Sequence, residues 1–288
     1  MASPTAIGLE AFAAARPALP GSGPVAALIA EDRAGIACAL AHLAAIGFET
    51  RILFAPELPP EAADAATLTV LCRTAEPGAD RACLNALIDR VPGRWVHHLY
   101  NAEYLFFPFA ETRRVGDMLG FVESERRDSV AGVTVDLYPA DLDRHPDGID
   151  RDSAHFDAAG YFALGRRAPD GTPIERQYEV HGGLRWRHEQ HVPHDRRRID
   201  RIALFLARPK LRFDPALRQS DPELNTFESP WHRSLTACVA SFRTARALCA
   251  LPSARQSIDS FLWRRSQPFA WRAEQLLAAG LMEPGQWF

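Results

Sequence analysis

The chain has 288 residues, of which 47% are hydrophobic and 24% charged, so it can bury the core of an ordinary globular protein. Its formal net charge of −3 argues against a nucleic-acid binder and against a strongly acidic tail. Five cysteines without a C-x-x-C pair indicate reduced thiols, and no segment reaches the ~18 consecutive apolar residues of a membrane span. We therefore expect a cytoplasmic protein that neither binds nucleic acid nor spans a membrane.

The first 23 residues are rich in alanine and proline and have no basic opening. Glu10 interrupts their apolar part, which is unlike a signal peptide. This composition predicts a flexible leader over residues 1–23, and regular patterning begins at Val25.

Short apolar strands then alternate with amphipathic helices. In one predicted helix, Leu84, Leu87, Ile88 and Val91 recur at the spacing of a single face. The alternation predicts βαβ units and an α/β fold, with a mixed, mostly parallel sheet flanked by helices. The predicted strands are VAALIA, TRILFAP, TLTVLCR and RWVHHLY.

The ends of these strands carry the first candidate binding residues. In open α/β sheets, ligands bind beyond the carboxyl ends of the strands. Here those ends are followed by Glu31, Glu57, Arg73 and the stretch Tyr100–Glu103.

The second half of the chain is less regular. A helix is predicted over 115–122 and an apolar strand over SVAGVTVDLYP. Residues 141–198 are polar, with a hairpin predicted around Asp170-Gly171, and so long an irregular stretch indicates a lid, a binding region or partial disorder. After Trp231, helical spacing predicts a face formed by Leu235, Cys238, Val239, Phe242 and Cys249.

Five stretches occur in a fixed order: AEYLFFPF, ETRRVGDML, GVTVDLYP, FDAAGYF and HGGLRWRH. Together they resemble bacterial family 2 glycosyltransferases of a subgroup with Asp-Ala-Asp-Glu-Phe-Leu, Glu-Thr-Arg and Asp-Met-Tyr-Pro motifs. The resemblance covers roughly Val25 to Phe213 and is most specific between Trp95 and Pro139. It implies a GT-A-like, Rossmann-related domain over 24–232, with a helical segment, 233–288, packed on it.

The resemblance also implies an activity, the transfer of a sugar from a nucleotide-sugar donor to a glycan or lipid-linked acceptor. Asp136 then corresponds to a candidate catalytic base towards an acceptor hydroxyl. The alternative for Asp136 is a cap or turn residue before Tyr138-Pro139. The candidate nucleotide-sugar-binding residues are Glu31, Glu57, Glu103, Glu111, Arg113, Arg185 and Arg187.

The family's acidic metal-binding motif is degenerate in this chain. Against Asp-Ala-Asp-Glu-Phe-Leu, the chain reads Tyr100-Asn101-Ala102-Glu103-Tyr104-Leu105, so both aspartates are absent and Glu103 remains. Mg²⁺ and Mn²⁺ require oxygen ligands, and Glu103 alone would bind either ion only weakly. We therefore interpret the stretch as a metal site that has been lost, and the sequence predicts no protein-bound metal there.

Two explanations of this loss remain open. Arginines such as Arg113, Arg185 and Arg187 can stabilise a diphosphate without a metal, although exposed arginines are common and each can be a solvated surface residue. The alternative is a catalytically inactive module that binds a protein partner or regulates an active enzyme. A different nucleotide-binding enzyme is disfavoured, because the chain has no G-x-G-x-x-G motif or phosphate-binding loop.

The segment 181–198 combines histidines, arginines and Trp186. His188 and His191, three positions apart, could bind a transition metal on a helix, but Pro193 interrupts that helix. A charged loop, or a basic rim that attracts a phosphate-bearing ligand, is the alternative.

Overall fold

The computed structural model describes residues 6–15, 19, 21–62, 65–225 and 234–288. It is α/β, with a large, mixed, mostly parallel sheet flanked by helices, as the alternating pattern predicts. The strands are β1 Ala6–Gly8, β2 Val25–Ile29, β3 Thr50–Ala55, β4 Leu68–Leu71, β5 Trp95–Tyr100, β6 Glu103–Phe106, β7 Ser129–Pro139, β8 Ala154–Asp157, β9 Phe162–Arg167, β10 Pro173–His181, β11 Asp200–Leu206, β12 Ala237–Ser241 and β13 Ser266–Pro268. The helices are α1 Leu9–Ala14, α2 Ile36–Ala45, α3 Ala79–Arg90, α4 Val115–Ser124, α5 Gly183–Arg187, α6 Arg243–Ala250, α7 Pro252–Arg255 and α8 Ala273–Ala278.

The chain divides into two compact units, each built from three separate segments. Unit 1 comprises Met1–Tyr104, Thr112–Val130 and Ile202–Asn225. Unit 2 comprises Leu105–Glu111, Ala131–Arg201 and Thr226–Phe288.

Unit 1 contains the predicted βαβ units. Its strand order is β1-β4-β3-β2-β5-β11, in which the first five strands are parallel and β11 is antiparallel to β5. The predicted helical face of α3 is buried, with Leu84 and Leu87 fully enclosed beside Phe54 of β3 and Phe205 of β11. Burial of this apolar stripe fixes α3 against the sheet.

Unit 2 is built around β7, whose described residues are all buried. β12 pairs with β7 in parallel and β8 pairs with it antiparallel, while β13 extends β8. A separate antiparallel hairpin, β9–β10, confirms the turn predicted around Asp170-Gly171. A second apolar core joins Tyr138 to Leu184, Leu248 and Phe261.

Three expectations from the sequence differ from the structure. Within the expected leader, β1 pairs with β4, and the α1 residue Phe12 is fully buried beside Phe54. The polar stretch 141–198 contains β8, β9, β10 and α5. The predicted helical face after Trp231 includes β12, because the segment ACVAS pairs in parallel along the open edge of β7 and so forms a strand. Among the described residues, no helix is long and apolar enough to cross a membrane.

Candidate functional site

The carboxyl edge of unit 1 is formed by the residues that follow β2, β3, β4 and β5. The strand registers align Ile29 with both Phe54 and Tyr100, and Phe54 with Val70, so these strands end at one level. Glu31 is half-buried here, and Glu57 is exposed. Thr74 connects two of the strand ends, since its hydroxyl donates to the carbonyl of Ala30 over 2.5 Å.

Asn101 connects two elements at this edge through the hydrogen bonds of its side chain. Its side chain is fully buried, and its Oδ1 accepts the N–H of Glu31 over 2.9 Å. Its Nδ2 donates to Asp32 Oδ1 at 2.9 Å and to the carbonyl of Ala34 at 2.8 Å. The side-chain amide of Asn101 therefore joins the end of β5 to the β2–α2 connection, and its carbonyl oxygen accepts a backbone hydrogen bond within the protein.

Glu103 is likewise directed at the protein backbone. It is 1% exposed, and its Oε2 accepts the N–H of Tyr100 over 3.0 Å. Ala102, between them, has a φ of +60°, and a Cβ on Gly35 would lie 2.9 Å from the Ala102 Cβ. The Glu103 carboxylate thus closes this turn.

Tyr100 connects the degenerate motif to α3. Its hydroxyl donates to Asp80 Oδ2 in the first turn of the helix over 2.8 Å. Where the family motif has an aspartate, this chain has a phenol that bonds a neighbouring carboxylate. Tyr100, Asn101 and Glu103 are thus each hydrogen-bonded to protein groups at this edge.

Unit 2 holds the buried charged network, which we define as Asp136, Tyr138, Asp157, Arg185 and Arg187. Asp136 lies near the carboxyl end of β7 and is 1% exposed. Arg185 approaches it twice, with its Nε 3.6 Å from Oδ1 and its backbone N–H donating to Oδ2 over 3.4 Å. Burial raises the pKa of Asp136, while Arg185 and a hydrogen bond from Thr244 oppose that rise.

Asp157 is hydrogen-bonded to the remaining members of the network, Tyr138 and Arg187. Its carboxylate accepts hydrogen bonds from the Tyr138 hydroxyl at 2.5 Å and from Trp263 Nε1 at 2.8 Å. Arg187 donates to the same carboxylate through Nε at 2.8 Å and Nη2 at 3.2 Å, a bidentate pair. Burial raises the pKa of the Tyr138 phenol, and the Asp157 charge adds to the effect.

Two glycines bring Arg185 to Asp136. Gly183 has a φ of +64°, and a Cβ there would lie 2.8 Å from Asp136 Oδ2. Gly182 has a φ of +151°, and its missing Cβ would collide with the ring of Tyr161. The Gly-Gly-x-Arg stretch is therefore required locally, because any larger side chain would hold the start of α5 away from β7.

The other predicted residues have separate positions. Glu111 belongs to unit 2, where its Oε1 accepts the N–H of Ala273 at the start of α8 over 2.5 Å. Arg113 belongs to unit 1 and is partly exposed just before α4. The structure thus joins Asp136, Arg185 and Arg187 in one network, and the remaining candidates lie outside it.

Three members of the site were not singled out from the sequence: Asp157, Trp263 and Thr244. Asp157 lies in the FDAAGYF stretch, so its signal was the resemblance itself. Trp263 reaches Asp157 from 106 positions away, a contact that no local pattern indicates.

His188 and His191 of the segment 181–198 make their contacts with residues of unit 2. His191 Nε2 lies 3.0 Å from the Ser257 hydroxyl, and His188 packs edge-on against Phe261. Burial lowers the pKa of His188 to about 4. In the part of the chain that the structure describes, no group of three or more His, Cys, Asp or Glu side chains is arranged to hold a metal ion.

No family model matches the chain, and no curated protein matches it. The family resemblance therefore rests on the ordered sequence motifs alone.

Proposed function

We propose that this chain is a GT-A-like, family 2-type glycosyltransferase that transfers a sugar from a nucleotide-sugar to a glycan or lipid-linked acceptor without a metal held by the acidic motif. One observation carries the proposal. Motif residues from three separated stretches, Asp136 with Tyr138, Asp157, and Gly182 to Arg187, meet in the buried charged network. Surface residues of unrelated role would not be expected to converge in this way.

Donor binding is the part of the proposal that concerns unit 1. Parallel α/β sheets bind nucleotides beyond the carboxyl ends of their strands. The carboxyl edge has that position, and the half-buried Glu31 and exposed Glu57 lie on it. Arg113 is assigned the role of stabilising the diphosphate, because guanidinium groups match phosphate geometry and keep their charge.

Sugar transfer is the part of the proposal that concerns unit 2. Asp136 is the candidate base, and its Oδ1 lacks a hydrogen bond although it faces Arg185 at 3.6 Å. A raised pKa, caused by burial, suits a carboxylate that must accept a proton near neutral pH. Arg185 and Arg187 are each committed to a carboxylate, so we assign them to positioning the network and not to the diphosphate.

A catalytically inactive binding module is the second candidate. It is favoured by the 1% exposure of both Glu103 and Asp136, which places each carboxylate against protein groups. In that case the carboxyl edge binds a nucleotide or a protein partner, and no sugar is transferred.

Calorimetric titration of the full chain with UDP, GDP and their sugar conjugates, with and without Mn²⁺, tests donor binding. We expect binding that is independent of Mn²⁺ and that Arg113→Ala weakens about tenfold or more. Arg126→Ala, an exposed arginine after α4, is the matched control and should bind normally. A strict requirement for Mn²⁺ would contradict the metal-free proposal, and absence of binding to every donor would contradict the transferase proposal.

Release of UDP or GDP from the donor that binds separates the two candidates. Asp136→Asn should retain donor binding and lose most of the release. A wild-type chain that binds the donor but never consumes it, with any acceptor tried, would support the inactive module.

A further inference from the structure

Two cysteine sulfurs lie in contact in unit 1, at the end of β4 and within α3. The Sγ atoms of Cys72 and Cys83 are 3.5 Å apart. Both belong to the same hydrophobic core region, in which Cys83 is fully buried and Cys72 is partly exposed. Cys72 is therefore the member of the pair that solvent can reach, and Cys83 is enclosed in the core.

The backbone fixes this pair. Cys72 donates its N–H to the carbonyl of Ala55 over 2.9 Å, which extends the pairing of β4 with β3. Cys83 lies in the second turn of α3, and its side chain packs with Leu84 and Leu87 in the core. A strand end and a helix thus hold the two sulfurs in contact.

The chemistry of the pair is asymmetric. The hydrogen bond between the two thiols lowers the pKa of Cys72. The same hydrogen bond, together with burial, raises the pKa of Cys83. Thiolates are the nucleophilic form of cysteine, so Cys72 is the sulfur that reacts first.

We propose that Cys72 and Cys83 are a peroxide-oxidisable dithiol that forms a reversible intramolecular disulfide. The Cys72 thiolate attacks one oxygen of a hydroperoxide, the O–O bond breaks, and the departing oxygen takes up a proton from solvent, so that a sulfenic acid and water (or an alcohol) result. The Cys83 sulfur then attacks the Cys72 sulfur, the S–O bond breaks, and a second water leaves with the Cys83 proton. The two thiols lose two electrons in total, which the peroxide accepts, and an added dithiol reverses the reaction.

The disulfide would close the β4–α3 connection at the carboxyl edge. This connection contains Thr74, whose hydroxyl bonds the carbonyl of Ala30. It leads to Asp80, which bonds Tyr100. Disulfide formation itself does not depend on the proposed function, so its test stands apart from donor binding.

Peptide mapping of the full chain gives a direct test. Trypsin cuts after Arg51, Arg73, Arg81 and Arg90, which places Cys72 in peptide 52–73 and Cys83 in peptide 82–90. The reduced protein is exposed to increasing hydrogen peroxide, free thiols are alkylated, and the digest is analysed by mass spectrometry. We expect a linked pair of these two peptides as the main product of Cys72 oxidation, and its loss after dithiothreitol.

Variants make the result specific. Cys72→Ser and Cys83→Ser should each abolish the linked pair, and Cys83→Ala should leave Cys72 to proceed to the sulfinic acid. Cys38→Ser is the matched control, because Cys38 is also partly exposed, and it should leave the linked pair unchanged. Thermal melts of the reduced variants check that each one folds. The proposal is overturned if the wild-type Cys72 becomes sulfinic acid, stays reduced, or links to another chain while Cys83 remains open to alkylation.

Discussion

Gly183 shows how one missing side chain allows a charged contact to form. Its positive φ and the 2.8 Å separation between a Cβ there and Asp136 Oδ2 leave room for hydrogen only. We expect Gly183→Ala to lower the free energy of unfolding by about 2–4 kcal/mol, through backbone strain and displacement of the carboxylate. Urea denaturation measures the change.

Gly165→Ala is the control for this substitution, since no heavy atom lies within 4 Å of a Cβ at that β9 position. Its effect should stay within about 0.5 kcal/mol. An equal effect of both substitutions would show that Gly183 does not act through Asp136.

The charge on Asp136 should make the protein less stable as pH rises. Because burial raises its folded-state pKa, the folded protein holds this proton more tightly than the unfolded chain does. Stability from this group is thus full below the unfolded pKa, about 3.9, and is lost as pH rises through the folded value. Asp136→Asn removes that loss, so the variant should gain stability relative to the wild type between about pH 4 and pH 7. A constant difference in urea midpoints across that range would contradict this expectation.

Individual site residues could be predicted from the sequence where they belong to one of the recognised motifs. Asp136, Gly183 and Arg185 were identified from the sequence, and the structure joins them. The partner of Glu111 was not predictable, because Ala273 lies 162 positions away and contributes only a backbone N–H. A sequence motif identifies a side chain, whereas its partner depends on the whole fold.

Among the elements, the βαβ units of unit 1 were predictable because apolar periodicity and burial coincide there. β12 was not, since so short a segment as ACVAS satisfies both a strand and a turn of helix. The deciding factor was the open edge of β7, to which Ala237 pairs opposite Gly132. Here the pairing with β7 decides the secondary structure, although the local sequence pattern predicts a helix.

Asn101 connects two elements and should be important for stability. Asn101→Ala removes three hydrogen bonds and leaves the part-buried N–H of Glu31 without the Asn101 oxygen. We expect a loss of about 2–4 kcal/mol in the free energy of unfolding, which urea denaturation measures.

Asn101→Asp keeps an acceptor but loses both donors and places its charge beside Asp32. It should also destabilise the protein, and it should gain no Mn²⁺ affinity in calorimetry. Tight Mn²⁺ binding by this variant would show that the side chain at position 101 can leave its hydrogen bonds to hold a metal ion.

For the whole molecule, each unit is assembled from separated segments and has its own core. Deletion of residues 233–288 removes β12 from β7 and removes Leu248 and Phe261 from the second core, while the first core keeps its residues. We expect hydrogen exchange to show lost protection in β7 and β8 and retained protection in β2 and β3.

Deletion of Phe288 alone, which is 84% exposed, is the control for this truncation and should change little. Loss of protection throughout the longer truncation would show that the first core cannot persist without residues 233–288. The division of the chain at 232/233, which the resemblance implies, did not reveal this interleaving, because contacts between distant segments leave no mark in the order of the motifs.

His188 should impose an acid limit on stability. Burial depresses its folded-state pKa to about 4, so the stability that neutral His188 preserves is present above about pH 6.5 and is lost as pH falls towards 4. His188→Phe keeps the edge-on ring contact with Phe261 and cannot titrate. The variant should therefore lose less stability on acidification. NMR titration should give His188 a pKa near 4, and an ordinary value would contradict its burial.

The parallel pairing of β7 with β12 also affects synthesis of the chain. Roughly 100 residues separate Gly132 from its partner Ala237, and at ~5–20 residues per second the ribosome needs roughly 5–20 s to bridge them. During that interval the nascent chain carries a long apolar strand whose parallel partner, β12, has not been made. This protein should therefore depend on chaperones during translation, and slower translation between these two strands should lower the yield of soluble protein.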